Sequence, residues 1–423
     1  MIDRLKGPSI NNDFDLTIRN LKSAVLSNGI KAYEVNNGTQ DIIKIDLVFR
    51  SGRVNETKIA ASKAAINLLR EGSSNKNSQE LAYLFDYYGC SIKLSAGIEY
   101  SSVSLVCLTR YFDKVWPEWL NMVIEPAYAQ EEIDKYKDVY SQKLKHQISK
   151  NEVISYRIIT EKLFGESHPY GYNTQPEHIY NLTRDDITDY FKNNCKLDNS
   201  YLVLSGSYNE NIRSAIFDDL GNIHHKSSQT TNPFFNPEPI QGTFKIKTQN
   251  DTQTSIKVGC LMVDRHHPDY NKLKFLNTIL GGYFGSRLMK NIREDKGYTY
   301  GIYSSFDGWQ KGGSFYIGAD VGNTFIEPTL KEIYKEVNIL KNEPVTNPEL
   351  DMVKNYILGQ SLHLIDGPFA TAQLVKSLYA TSQSIDTFER NVAQVKAITS
   401  DDVLEIANKY LHPERFVEVL VGE

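Results

Sequence analysis

The chain has 423 residues, too many for one ordinary compact core, and its 40% hydrophobic and 23% charged content is that of a globular protein. Lys and Arg total 47 against 52 Asp and Glu, a formal net charge of −5 that advertises neither nucleic acid nor an anionic membrane as partner. No stretch approaches the ~18 apolar residues that cross a bilayer. The N-terminal Met1-Ile-Asp-Arg-Leu-Lys lacks the apolar core of a secretory signal, so a cytoplasmic protein is expected. Cys90, Cys107, Cys195 and Cys260 lie far apart and form no C-x-x-C pair, which predicts buried reduced thiols.

Along the chain, Ile43-Lys-Ile-Asp-Leu-Val-Phe49 alternates like a strand with one buried face, as does Ser101-Ser-Val-Ser-Leu-Val-Cys-Leu108. Helical patterns occupy residues 60–70, 78–88 and 130–150. Leu182-Thr-Arg-Asp-Asp-Ile reads as a helix capped by Thr183, whose oxygen accepts from free first-turn N–H groups while the aspartates favour the positive helix end. A strand, Tyr201-Leu-Val-Leu-Ser-Gly206, follows it. Residues 222–242 are polar and punctuated by proline, a linker. Beyond them, strands at residues 255–263 and 314–321 and helices at 328–340 and 348–363 repeat the plan. The chain then closes with Ile398-Thr-Ser-Asp-Asp-Val and Val417-Glu-Val-Leu-Val-Gly422. The two Thr-capped units and the two glycine-ended strands each lie 216 residues apart, which reads as a duplication. The expected architecture is α+β, two similar domains of about 200 residues, each of a size that suits an independent core.

Searching for chemistry returns mostly absences. The sequence contains no G-x-x-x-x-G-K-[ST], G-x-S-x-G or H-E-x-x-H. Gly281-Gly-Tyr-Phe-Gly285 superficially suggests a phosphate loop but lacks a placed lysine. The pairs His224-His225 and His266-His267 point apart at i, i+1 and read as solvated loop histidines. In Thr174-Gln-Pro-Glu-His178 a threonine stands where a first ligand would be, and Pro176 interferes with a ligand-bearing helix.

Leu280-Gly-Gly-Tyr-Phe-Gly-Ser-Arg-Leu288, followed by Ile292-Arg-Glu-Asp-Lys-Gly-Tyr-Thr-Tyr300, resembles the second-half signature of the pitrilysin/insulinase metallopeptidases. The likeness extends over most of the chain from about Leu26, within the branch of small subunits similar to mitochondrial processing peptidase; His168-Pro-Tyr-Gly171 also fits. It implies an N-terminal peptidase-like domain over 1–221, a linker over 222–242 and a C-terminal peptidase-like domain over 243–423. Active members of that family bind zinc through H-x-x-E-H on a first-half helix and a downstream glutamate. Aligned on Gly72, this chain has Lys63-Ala-Ala-Ile-Asn67 in place of the motif, and Ser141-Gln-Lys143 where the glutamate belongs. No zinc or other cofactor is therefore expected in this chain.

The family's second-half arginine and tyrosine, seven positions apart, are matched by Arg293 and Tyr300. The resemblance implies that Arg293 binds substrate carbonyls and Tyr300 polarises the scissile one. Gly297 is expected to end the helix in a left-handed cap and turn the chain into a strand at 298–306. On local pattern alone, Arg293 is a solvated helix end and Tyr300 shares a strand face with Tyr298 and Ile302 as a half-buried aromatic. The resemblance implies half of a clamshell, with a zinc-bearing homologous subunit as partner and a peptide as substrate. The alternatives are a non-catalytic scaffold and a homodimer that binds peptides without cutting them.

Overall fold

A computed structural model describes residues 15–223, 236–249 and 252–422. The first half forms a six-stranded sheet from β1 (Leu21–Val25), β2 (Lys31–Asn36), β3 (Ile42–Phe49), β4 (Ser91–Ala96), β5 (Ser101–Leu108) and β6 (Ser200–Gly206), in the order β1-β2-β6-β3-β5-β4. The second half forms a five-stranded sheet from β7 (Gly242–Lys247), β8 (Gln253–Met262), β9 (Thr299–Gly308), β10 (Gly313–Gly322) and β11 (Val417–Gly422), in the order β7-β11-β8-β10-β9. Both sheets are antiparallel except for one pair each, β2 with β6 and β7 with β11. The strands expected from alternation and most of the expected helices are present, so the mixed α+β reading with two similar halves holds. His224 and His225, and most of the 222–242 segment, lie outside the described residues.

The duplicated capping units are formed as their sequence predicts. Thr183 caps the helix Arg184–Asn194, its Oγ1 accepting from the Asp186 N–H at 3.1 Å while the Asp186 carboxylate accepts from the Thr183 N–H at 2.8 Å. Thr399 and Asp402 do the same at the head of the helix Ser400–Tyr410, at 3.1 and 2.9 Å.

One feature was not legible in the alternation. The central strands β5 and β6 are buried on both faces, where the pattern predicted a single buried face for β5. The first-half helices cover one face; the other is covered by the helix Gly367–Ala380, which comes from the second half. Its Ala372, Val375 and Ala380 pack with Tyr33, Val35, Val48, Tyr201 and Val203 of the first sheet. Reciprocally, the first-half helix Asn151–Phe164 lies on β8, β10 and β11, with Ile159, Leu163 and Phe164 packed on Val417, Val419 and Val421. The two exchanged helices are themselves 216 residues apart and equally long. Each half keeps a main core of its own residues and borrows one covering layer from the other. No helix among the described residues is long and apolar enough to cross a membrane.

Candidate functional site

The segment carrying Arg293 and Tyr300 begins where the helix Tyr270–Gly281 ends against β9. A Cβ on Gly281 would stand 2.5 Å from the Ser304 backbone nitrogen, so only glycine lets this helix end sit directly on the strand. The short turn Gly282–Ser286 follows, with Phe284 at its tip and 65% exposed. Residues Met289–Asp295 then wind as a single widened π-helical stretch, a form often found at functional sites. Buried Ile292 and Leu288 hold its inner face. Asn291 fixes its flank, donating to Glu332 at 2.9 Å and Glu336 at 2.7 Å. Burial pushes the Glu336 carboxyl above its usual range.

Gly297, at φ +67°, terminates the stretch in the left-handed region as expected, and the Tyr298 N–H donates back to the Ile292 carbonyl at 3.1 Å. The strand then departs from simple alternation. Thr299 pairs with Val321 and Ile302 with Ala319, so two residues of β9, Tyr300 and Gly301, face the single Asp320 of β10. This bulge, tied by Thr299 Oγ1 donating to the Asp320 carbonyl at 2.7 Å, turns Tyr300 away from the face that buries Ile302. Tyr300 is 92% exposed. The half-buried aromatic predicted from local pattern is thus corrected: the extra residue re-aims it into solvent.

The bulge and the glycine cap together bring the two residues to one place. The Arg293 guanidinium carbon lies 5.6 Å from the Tyr300 ring centroid and 4.7 Å from that of Phe284. Among the described residues Arg293 has no ion-pair or hydrogen-bond partner, so its donors are held between two aromatic rings and free to engage a ligand. In the sequence, the signal for Phe284 is a large aromatic set within the glycine-rich run Gly281–Gly285.

The remaining sequence candidates resolve as structure. His168 is buried and its Nδ1 accepts from the Tyr170 N–H at 3.0 Å within a turn. His178 caps its own short helix, its Nδ1 accepting from Gln175 N–H at 3.0 Å. His267 accepts likewise from Asp269 N–H at 3.1 Å. The Gly281–Gly285 run forms the turn described above rather than a phosphate cradle between strand and helix.

Residues 181–357 match the profile of the family described as Peptidase M16 inactive domain. A Bacillus subtilis relative, "Uncharacterized zinc protease YmxG", is 23% identical over 80% of this chain and 83% of its own length. Over residues 181–357 the chain is therefore similar to the peptidase M16 inactive domain family. A second M16 relative from Helicobacter pylori, "Non-peptidase homolog YmxG", is 23% identical over 74% of each chain. The fold matches that of the crystallised peptidase M16 inactive domain from Pseudomonas fluorescens at a TM-score of 0.84, with 24% identity over 95% of this chain and 98% of the other.

Where the resemblance places the zinc motif, the helix Ala61–Asn67 presents Lys63, Ala64, Ala65, Ile66 and Asn67. Ala64, Ala65 and Ile66 are fully buried in the core, and Lys63 brings a positive charge. No group of three His, Cys, Asp or Glu side chains able to hold a metal ion occurs among the described residues. The residues at this helix do not fit zinc.

Proposed function

We propose that this chain is the non-zinc subunit of a heterodimeric M16 metalloendopeptidase, positioning an extended peptide for a zinc-bearing homologous partner. The observation that carries the reading is the convergence of Arg293 with a 92%-exposed Tyr300, the guanidinium stacked on aromatic rings with no ion pair among the described residues. The guanidinium offers several donors to peptide carbonyls, and the phenol offers a proton to the oxygen that gains charge as the scissile carbonyl is attacked. Tyr300 stands on β9, the outermost strand of its sheet, whose unpaired side can receive a peptide by added main-chain hydrogen bonds. The partner supplies the zinc, its ligands and the base, so each subunit is inactive alone.

The test is to co-express the chain with an H-x-x-E-H relative from the same source and measure peptide cleavage and bound zinc, separately and together. Cleavage by the mixture alone, with zinc following the partner, is the expected result. Tyr300→Phe should then lower kcat about a hundredfold, the scale of losing one oxyanion donor, without changing assembly by gel filtration. Unchanged kcat would remove the carbonyl-polarising role. A second reading, a non-catalytic scaffold or peptide-binding homodimer, draws on the relative named a non-peptidase homologue. It takes the lead if no mixed complex forms and the chain alone is a stable metal-free dimer.

A further inference from the structure

A cavity of about 330 Å³ opens beside the helix Ala61–Asn67, bounded by the helix Gln130–Gln147 and by Ala96, Gly97 and Ile98 at the end of β4. Its charge is one-sided. Arg53, Lys63 and Lys143 line it against the single carboxylate of Glu56. That carboxylate is spent on the start of the neighbouring helix: it accepts from the Ala60 N–H at 3.1 Å and the Ser62 N–H at 2.9 Å, and also from the Ser62 and Tyr172 hydroxyls. The Arg53 guanidinium is stacked over Tyr172, 3.7 Å from the ring centroid, and its Nε is buried without a hydrogen-bond partner among the described residues.

The two lysines are differently placed. Lys63 and Lys143 come from separate helices, yet both ammonium groups lie over one ring, Tyr140, at 5.8 and 5.1 Å from its centroid. Neither has an acidic partner among the described residues. Two like charges gathered around one aromatic ring repel each other, and an anion placed between them relieves that repulsion. They stand at the two places where a zinc-binding relative is expected to carry metal ligands, so the local charge requirement is inverted.

We propose that this cavity binds a carboxylate of a peptide, held between the Lys63 and Lys143 ammonium groups over the Tyr140 ring. The proposal rests on the peptide-handling reading above and names its recognition chemistry. β4 is the edge strand of the first sheet, and its end forms the cavity wall, so an extended peptide laid along that edge reaches the lysines. The carboxylate comes from an acidic side chain or from the peptide's own C-terminus.

Fluorescence anisotropy on the full chain separates these, using one labelled extended peptide made with a free or amidated C-terminus and with an internal Asp or Asn. Carboxylate-bearing peptides should bind about tenfold tighter, the scale of ~1.4 kcal/mol. The Lys63→Met/Lys143→Met double variant should erase the difference; both side chains are exposed, so the fold is not at stake. Loss of the preference on amidation assigns the C-terminus, and loss on Asp→Asn assigns a side chain. Lys143→Glu should shift preference toward a lysine-bearing peptide. Equal binding of all four peptides, unchanged in the double variant, would overturn the carboxylate site while leaving peptide handling intact. No binding of any peptide, with no cleavage by the mixed subunits, would overturn both.

Discussion

Asp46 lies on β3 with none of its surface exposed, beneath the helix that arrives from the second half. Its carboxylate accepts from the Lys376 ammonium at 2.9 Å and from the Ser104 hydroxyl, and Lys44 stands 3.2 Å away. Burial pushes the Lys376 ammonium below its usual range, and the Asp46 charge opposes that shift. Removing Lys376 leaves the buried Asp46 carboxylate with Lys44 alone, under-compensated in a region that hydrates it poorly. Lys376→Met should therefore cost about 3 kcal/mol, read as a lower urea-unfolding midpoint. Adding Asp46→Asn should recover part of the loss, because the stranded charge is removed with its partner. A recovery of nothing would mean that Lys376 contributes through packing alone. The same pair explains the polar positions of β3: alternation predicted a wet face there, and the face is instead dry and paired.

At the scale of elements, the capping units carried the clearest sequence signals because their chemistry is local. Thr183 with Asp186 and Thr399 with Asp402 need only their own first helical turn. The second unit is also tied outward: the Lys272 ammonium donates to Asp402 at 2.7 Å. That contact, with the Thr399 hydroxyl, holds the Asp402 carboxyl down at about 2. A depressed carboxyl stabilises the fold above its unfolded value and loses that contribution as pH falls through the folded one. Asp402→Asn should therefore lower stability at neutral pH by at most about 2 kcal/mol, given partial exposure, and flatten the decline between about pH 4 and pH 2. Equal acid sensitivity of wild type and variant would count against it. What the sequence hid was non-local. The bulge at Tyr300–Gly301 depends on pairing with β10, and a two-residue periodicity cannot announce one extra residue. The convergence of Lys63 and Lys143 depends on two helices meeting, and each lysine alone reads as a solvated charge. Arg293 and Tyr300 were legible only through a motif; their mutual distance came from the glycine cap and the bulge together.

For the whole molecule, the exchanged helices decide how the halves are joined. The helix Asn151–Phe164 inserts Ile159, Leu163 and Phe164 into the second half, and Gly367–Ala380 sets Val375 between two alanines against the first; each large side chain contributes on the order of 1–3 kcal/mol when buried. Polar ties add to this. Tyr201 Oη donates to the Lys376 carbonyl at 2.5 Å, Asn151 Nδ2 donates to the Gln253 carbonyl at 2.9 Å, and Ser155 and Ser255 hydroxyls meet at 3.0 Å. A single cut between residues 222 and 242 should therefore leave both fragments migrating as one particle on gel filtration and melting in one transition. Separation of the fragments under native conditions would contradict the exchange as the principal joint. In mechanical terms, the two halves are locked where they meet: swinging one from the other would uncover an apolar face on both. If two such chains close around a peptide, the jaw must open along the seam between them, and the rate of product escape belongs to that seam and not to either chain alone.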